Sequence, residues 1–273
     1  MFGIYIESGI ICAMIKNTFI ILDGIGQKLE KRLWREGVLT WNHFLGTKCP
    51  SFIPPVRKGL FDKTLFSAYA ELNEGNAAYF AHTLKRIEHW RLYDAFKDNA
   101  VCLDIETNGL SPTSGGYVTV VGMYDGQAYK CFIRGENLTA DALNEELSKY
   151  KYLITFYGSV FDIPFLKVCF RHLKLDIPHF DLCFGARRVG LRGGLKKLEQ
   201  HFDIQREDEV KGMDGYDAVL LWQEAEKGNN NALDLLILYN KEDTVNLFGI
   251  AKNIYRRLKV LTGIEEYIRN TTP

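Results

Sequence analysis

The sequence predicts an α/β fold in which helices lie on both faces of a mixed sheet, preceded by a small helical module. The hydrophobic period changes near residue 100 from helical spacing to strand-like alternation. Three strand-like runs follow one another across turn signals, and helices then alternate with further strands. A chain of 273 residues, 47% hydrophobic and 25% charged, suits one main globular domain with an accessory module.

The segment 19–45 is predicted to form two short helices. Gly24 and Gly26 permit a tight turn, a helix covers 27–35, and Thr40 caps a second helix. The following segment is predicted to be a linker, because it is rich in proline and glycine. These residues are Pro50, Pro54, Pro55 and Gly59 within 46–60. Helical spacing resumes over 65–96, with a break near 73–76.

The strand region is predicted to begin with an antiparallel unit at 100–105, 117–124 and 128–133. The pair Asp125-Gly126 between the second and third runs is a strong hairpin signal. The remaining elements alternate between helix and strand, which gives a mixed sheet covered by helices. They are helix 138–149, strand 152–157, helix 162–173, strand 179–182 and helices 194–202, 214–227 and 230–259.

Composition excludes a globally basic nucleic-acid binder, because Lys plus Arg equals Asp plus Glu at 34 each. Phosphate binding must therefore come from local basic patches or from bound cations. The six cysteines form no C-x-x-C pair and the six histidines lack zinc-ligand spacing, so we expect a reduced, cytoplasmic protein.

The first 22 residues are apolar, but Glu7 and Lys16 interrupt them and no basic segment precedes them. They are too short and too charged for a membrane span, and they lack the basic start of a signal peptide. We therefore expect no membrane association. A membrane-tethered alternative rests on this segment alone.

Asp104 and Glu106 end the first predicted strand. Positions i and i+2 of a strand face the same way, so both carboxylates project from one face. Two negative charges so close together repel each other unless a cation lies between them. The alternative is a pair of exposed strand-end acids, because the D-x-E pattern is common.

Asp162 lies in an apolar stretch, Val160-Phe-Asp162-Ile-Pro164-Phe. A buried carboxylate needs a cap, a partner or a metal. It is either the N-cap of the following helix, with Pro164 in the first turn, or an acid pointing to the edge of the sheet. Both interpretations are compatible with each other.

Tyr239 and Asp243 are four residues apart on an apolar predicted helix, so the phenol and the carboxylate share one face. That face also carries apolar residues, which turns Asp243 inward. The alternative is a simple Tyr–Asp hydrogen bond at the rim of a helix.

Four acids from three elements form a set that requires cations. Hard oxygen ligands favour Mg²⁺ or Mn²⁺ over zinc. Two such ions can activate a water molecule and stabilise the leaving oxygen of a phosphodiester. We expect two metal ions and no small-molecule cofactor.

Three motifs in this order, Asp104-Ile-Glu106-Thr, Phe161-Asp162 and Tyr239-Asn-Lys-Glu-Asp243, resemble the exonuclease motifs of the DEDD superfamily. More narrowly, the chain resembles the YprB-type ribonuclease-H-like exonuclease family over residues 99–256. The likeness includes Asn108-Gly-Leu-Ser-Pro and Gly194-Leu-Lys-Lys-Leu-Glu. It implies a ribonuclease-H-like fold and a 3′→5′ exonuclease.

The resemblance assigns roles to individual residues. It implies that the metal is held by Asp104, Glu106, Asp162 and Asp243. Tyr239 indicates the tyrosine subclass, in which the phenol orients the attacking water. Thr107 and Leu110 are implied to contact the substrate, with Leu110 as a wedge beside the terminal base. Relatives often carry Asn five residues before Asp162, where this chain has Tyr157, so substrate positioning is expected to differ.

A basic segment with glycines precedes a predicted helix, and it can hold phosphates. The alternative is a solvated basic face. The basic residues are Arg187, Arg188, Arg192, Lys196 and Lys197.

The turn at Asp23-Gly-Ile-Gly26 resembles a helix-hairpin-helix module over about 25 residues. It implies that Gly24, Gly26 and Lys28 anchor DNA, although such turns also connect helices without binding anything.

Four segments and one function follow. We predict an extension at 1–13, because the likeness starts near Met14, and a helix-hairpin-helix-like module at 14–45. A linker and helical segment at 46–98 leads to the exonuclease domain at 99–273. The predicted substrate is DNA, as single strand or 3′ overhang. The alternatives are RNA 3′-end trimming and a catalytically silent nucleic-acid-binding protein.

Overall fold

The structure, a computed structural model, describes residues 13–271. The predicted extension at 1–13 lies outside the described residues except for Ala13. Ala13 is half-buried and packs against a core that includes the fully buried Met14 and Ile15.

Five strands form one sheet in the order β3-β2-β1-β4-β5. β2 is antiparallel to both β1 and β3, whereas β1, β4 and β5 are parallel. The strands are β1 (Ala100–Thr107), β2 (Val118–Tyr124), β3 (Tyr129–Ile133), β4 (Tyr152–Thr155) and β5 (His179–Asp181). The predicted mixed sheet is confirmed. The hairpin is also confirmed, since Asp125 accepts hydrogen bonds from the N–H groups of Gln127 and Ala128 at 2.9 and 2.8 Å.

Helices surround this sheet. In the described residues they are α1 (Gln27–Arg35), α2 (Trp41–Gly46), α3 (Pro55–Asn73), α4 (Ala77–Thr83), α5 (Tyr93–Phe96), α6 (Ala140–Leu147), α7 (Asp162–Cys169), α8 (Leu182–Arg188), α9 (Leu195–His201), α10 (Gly215–Glu226), α11 (Asn230–Thr262) and α12 (Ile264–Thr271). A 3₁₀ helix covers Arg86–Leu92. The predicted cap of the second helix is present, because Thr40 accepts a hydrogen bond from the N–H of His43.

The linker predicted at 46–60 is wrong in its second half, since α3 begins at Pro55. Proline is favoured in the first turn of a helix, where its missing N–H would have no partner. Two helices, α8 and α12, were not predicted. α8 is short, contains Gly185 and begins directly after β5, so its sequence lacks a clear helical period.

The two faces of the sheet bury different residues of the same strands. Cys102 and Ile154 belong to the core that includes α11 and the N-terminal helices, which contribute Trp34 and Trp41. The opposite face, including Leu103, packs with residues of α6 and α7. This alternation places the even-numbered side chains of β1, including its two acids, on the α11 face.

No helix among residues 13–271 is both long enough and apolar enough to cross a membrane.

Candidate metal centre and catalytic cleft

Carboxylates from β1 and α11 meet in one place. Asp104 and Glu106 project from the end of β1. The register between β1 and β2 shifts directly after Glu106. Asp243 lies on the facing side of α11, and one oxygen from each of these three side chains lies within 4.8 Å of the others. Backbone alternation and helical spacing therefore produce a cluster of three acids from two elements.

Burial and mutual repulsion act together on these acids. The pKa of Asp104 is raised well above its ordinary value, first by burial and then by the neighbouring Asp162, Glu106 and Asp243. The pKa of Glu106 is raised by burial and then by Asp243. Burial also raises the pKa of Asp243, although the Arg206 guanidinium opposes this. The cluster therefore favours bound protons or a bound cation.

Asp162 lines the same cleft at the start of α7, the helix that packs on the other face of the sheet. Its Oδ1 accepts a hydrogen bond from the N–H of Ile105 at 3.2 Å, and burial raises the pKa of its carboxyl to about 7. The N-cap interpretation is wrong: the helix is preceded by Phe161, and no side chain caps it. Asp162 is instead the first helical residue, directed at β1.

Tyr239 is buried on α11, one turn before Asp243. Its hydroxyl accepts a hydrogen bond from Lys196 Nζ at 3.4 Å. Asp243 is bonded to Arg206, so the simple Tyr–Asp pair considered from the sequence is not formed. Burial, then the charge of Asp243, raises the pKa of the Tyr239 phenol, which therefore stays protonated.

These side chains line a cleft of about 760 Å³. Thr107 and Tyr157 line it as well, and the Oγ1 of Thr107 accepts a hydrogen bond from Gly109 N–H at 3.3 Å. Leu110 lies on the loop after β1 and exposes 51% of its surface. The full lining is Asp104, Ile105, Glu106, Thr107, Phe156, Tyr157, Phe161, Asp162, Cys183, Arg187, Gly193, Gly194, Gly215, Tyr239 and Asp243.

Tyr157 has a left-handed backbone, with φ of 65°. This conformation suits Asn far better than a bulky side chain. The N–H of Tyr157 donates to Asp181 Oδ1 at 2.9 Å, and Asp181 also accepts hydrogen bonds from Ser159. Asp181 therefore holds the strained segment that ends beside Asp162.

The predicted basic residues do not form one patch. Arg187 is exposed, lines the cleft and lies over the ring of Phe184 at 5.3 Å. Arg188 turns away and bonds to Ile87 O and Glu88. Arg192 and Lys197 are exposed. Lys196 is half-buried and donates to the carbonyl of Met213 as well as to Tyr239.

Asn240 is a site residue that the sequence did not indicate. It is fully buried, and its Nδ2 donates to Asp104 Oδ2 at 2.9 Å and to Glu106 Oε1 at 3.5 Å. Its Oδ1 accepts from the hydroxyl of Tyr129 at 2.8 Å. Gly122 makes room for it, because a Cβ there would lie 1.9 Å from Asn240 Oδ1. The sequence signal that could have indicated Asn240 is an amide residue on the apolar face of a predicted helix.

Arg206 and Glu199 form a second unpredicted pair. Arg206 donates to Glu199 from Nε at 2.8 Å and from Nη2 at 2.6 Å, and it also bonds to Asp243. Asn246 donates to Glu199 at 2.9 Å. Arg206 lies on the segment between α9 and α10, where no periodic pattern indicates its direction.

The N-terminal turn lies in a different part of the fold. Gly24 has φ of 74°, and Gly26 precedes the first residue of α1. Lys28 is exposed. Arg57 of α3 donates to Asp23 O, and a Cβ at Gly24 would lie 2.6 Å from its Nη2. The turn is thus covered by a cation of this chain, and the helix-hairpin-helix likeness stays a prediction.

Comparisons with known proteins bear on this site. Residues 101–255 match the model of the RNase_H superfamily, and this range contains all four acids and Tyr239. A solved structure described as "apo form of the nuclease" is similar at 22% identity and a TM-score of 0.45, covering 63% of this chain and 78% of that chain. Among curated proteins there is no match.

Proposed function

The chain belongs to the RNase_H superfamily, and from this premise we propose that it is a divalent-metal-dependent 3′→5′ exonuclease. Its substrate would be nucleic acid, with DNA as a single strand or 3′ overhang favoured. The metal ions would be Mg²⁺ or Mn²⁺, two per site. The five described cysteines are free thiols, which fits a protein acting in the cytoplasm.

The observation that carries this proposal is the excess of acid in the cleft. Asp104, Glu106 and Asp243 approach within 4.8 Å of one another, and Asp162 adds its charge to the field around Asp104. Among the described residues Arg206 is the cation that bonds to this set, and it is shared with Glu199. Carboxylate oxygens are hard ligands, so the donor set fits Mg²⁺ or Mn²⁺.

Ions bound there would lower the pKa of a water molecule and neutralise the charge of a scissile phosphate. The chain itself contributes orientation. Asn240 fixes the carboxylates of Asp104 and Glu106, and the protonated phenol of Tyr239 can hydrogen-bond to a water at the cleft wall. Arg187 at the rim can bind a phosphate of the strand.

The polarity of the reaction is proposed from the motif order that resembles the DEDD exonucleases, within the narrower YprB-type family. Thr107 and Tyr157 line the cleft and Leu110 lies on the loop beyond β1, where a terminal nucleotide could be held. The preference for DNA rests on the helix-hairpin-helix-like turn at Gly24, Gly26 and Lys28.

One assay tests the proposal. Oligonucleotides of single- and double-stranded DNA and RNA, labelled at the 5′ end, are incubated with the full chain and Mg²⁺, Mn²⁺ or EDTA. Cutting from the 3′ end gives a ladder that shortens with time, and an oligonucleotide whose 3′-terminal linkages are phosphorothioates should resist it. We expect activity with either metal and none in EDTA.

Other outcomes have defined meanings. Full activity in EDTA contradicts the metal-dependent mechanism. Release of the 5′ label first contradicts the polarity. A ladder with RNA alone assigns the chain to RNA 3′-end trimming, and binding without hydrolysis under every condition assigns it to the silent nucleic-acid-binding alternative.

A further inference from the structure

A second concave site lies next to the catalytic cleft, on a neighbouring face of α8. Cys183 and Arg187 of this helix line the cleft, whereas Phe184, Gly185 and Arg188 line the second site. The site has a volume of about 300 Å³, at the lower end of the range for small-molecule pockets. We call it the α8 pocket. It suits one ring system better than an extended ligand.

Two different parts of the chain build the α8 pocket. The 3₁₀ helix before the sheet supplies Ile87 and Trp90, and β5 supplies Phe180. Ile87 is 61% exposed and Phe184 is 38% exposed, so the rim presents apolar side chains to solvent. The pocket is therefore mainly apolar and aromatic, which suits a flat ligand.

Unpartnered polar atoms belong to two residues of the pocket lining. Trp90 and His179 are each more than nine-tenths buried, and in the described part of the chain Trp90 Nε1 and His179 Nδ1 have no hydrogen-bond partner. A buried polar group without a partner costs free energy. Both atoms are covered by protein, so Trp90 contributes its ring to the wall of the pocket and not its N–H group.

The charges around the α8 pocket lie at its rim. Arg86 is exposed there, and Arg188 is shared with Glu88. Asp181 also lines the pocket, but its carboxylate already accepts hydrogen bonds from Tyr157, Ser159 and Cys183. The lining therefore carries two arginines against one aspartate, and this net positive charge complements a phosphate rather than a cation.

An aromatic ridge connects the α8 pocket with the cleft. The rings of Tyr157 and Phe184 stack with centroids 6.2 Å apart and an interplanar angle of 26°. Tyr157 lines the cleft and Phe184 lines the pocket, while Arg187 lies over the Phe184 ring. Aromatic rings beside arginines form the usual surface on which unpaired bases stack.

We propose that the α8 pocket receives one base of the single-stranded nucleic acid whose 3′ end lies in the cleft. The base stacks against Phe184 and has its flanking phosphate bound by Arg86. This inference rests on the proposed function, because the cleft must hold the strand. A base in a duplex is paired and stacked, so the pocket selects an unpaired strand upstream of the scissile bond.

The experiment measures affinity rather than turnover, using the full chain carrying Asp104→Asn in the presence of Mg²⁺. The probes are single-stranded DNA oligonucleotides, intact or with one abasic residue at successive positions from the 3′ end. We expect one internal position at which loss of the base weakens binding by about 5-fold or more. Phe184→Ala should weaken binding of the intact strand similarly and have no further effect on the strand that is abasic at that position.

One control and one further variant make the result specific. Phe66→Ala removes an exposed phenylalanine on α3, outside both sites, and should leave the affinity unchanged. Arg86→Ala changes an exposed side chain without disturbing α8, and it should lower the slope of log Kd against log salt by about 0.7. An unchanged slope contradicts the phosphate contact.

A flat abasic profile overturns the proposal, as does a Phe184→Ala effect that is the same on intact and abasic strands. Competition by a free mononucleotide as strong as that of the oligonucleotide would assign the pocket to a separate ligand. Hydrolysis of the p-nitrophenyl ester of thymidine monophosphate, which is too short to span both sites, reports on the proposed catalytic function alone. Failure of either hypothesis is thereby distinguished from failure of the other.

Discussion

Two regions of this molecule that bury carboxylates differ in the sign of the neighbouring charges. In the N-terminal region Glu30 is bound by Arg91 at 3.0 Å, and Arg91 also bonds to Glu88 at 2.6 Å. Arg188 bonds to Glu88 in turn, so two arginines meet two glutamates. Burial raises the pKa of Glu30, but the neighbouring guanidinium opposes the rise.

In the cleft the neighbours reinforce the effect of burial. Burial raises the pKa values of Asp104 and Glu106, and neighbouring acids raise them further. The first region neutralises its charges within the chain, and the second leaves an excess of negative charge beside a cleft. This difference fits a structural role for the first set of acids and the cation binding proposed above for the second.

The largest expected effect is on hydrolysis. Asp104→Ala should lower kcat by about 10³-fold or more, because the metals would lose a ligand on which the chemistry depends. Steady-state cleavage of a labelled oligonucleotide measures this, with circular dichroism as the check that the fold persists. A variant that keeps more than a tenth of the wild-type rate would contradict the role of the cleft.

The N-terminal cluster should respond in stability instead. Arg91→Met leaves buried glutamates without their counter-charge and should lower the free energy of unfolding by about 3–5 kcal/mol. Arg32→Met is the matched control, because the Arg32–Glu36 pair is exposed and should contribute less than about 1 kcal/mol. Urea denaturation measures both variants. Equal losses would remove the contrast between buried and exposed pairs.

Metal and protons should compete for the cleft acids. Asp162 has a pKa of about 7, above its ordinary value, so the metal-free folded state binds protons more tightly than the unfolded state. The stability from these protons is present at low pH and is lost as the pH rises through 7.

Mg²⁺ at 100 times its Kd should add about 2.7 kcal/mol at pH 8 and much less at pH 5.5, because binding requires deprotonated ligands. Thermal unfolding with and without Mg²⁺ at the two pH values isolates this difference, since the buried histidines contribute equally to both arms. A metal effect that is independent of pH would contradict it.

We expect Asn240 to support catalysis by orienting Asp104 and Glu106. Asn240→Ala should reduce kcat or metal affinity by about 10- to 100-fold, the usual effect of losing a group that orients metal ligands. Asn253→Ala is the matched control, because Asn253 is on the same helix and bonds to its own helix at Gly249 O. Calorimetric titration with Mn²⁺ and cleavage rates separate the two effects. Equal behaviour of the two variants would assign Asn240 to packing.

The smallest expected effect concerns the strained rim of the cleft. Tyr157→Asn should raise the free energy of unfolding by about 1 kcal/mol, since Asn tolerates the left-handed conformation. Chemical denaturation compares the variant with Tyr157→Phe, which keeps the strain and should be neutral. A destabilised Asn variant would show that the ring stacking on Phe184 outweighs the backbone strain.

Local patterns in the sequence predicted much of the fold. The change of period near residue 100, the Asp125-Gly126 turn and the helical stripe after residue 230 report backbone geometry that neighbouring residues impose on one another. The same rules placed Asp104 with Glu106, and Tyr239 with Asp243, on common faces. The resemblance carried by these motifs also predicted the ribonuclease-H-like fold, in agreement with the RNase_H superfamily match.

Other features depended on packing between distant segments. Asn240 reaches Asp104 across 136 positions of the chain, and Arg91 reaches Glu30 across 61. The direction of Arg206, the left-handed backbone at Tyr157 and the α8 pocket likewise follow from how elements meet. Periodicity specifies which face of an element a residue occupies, whereas the tertiary structure alone decides which other element covers that face, because burial is a property of the packed whole.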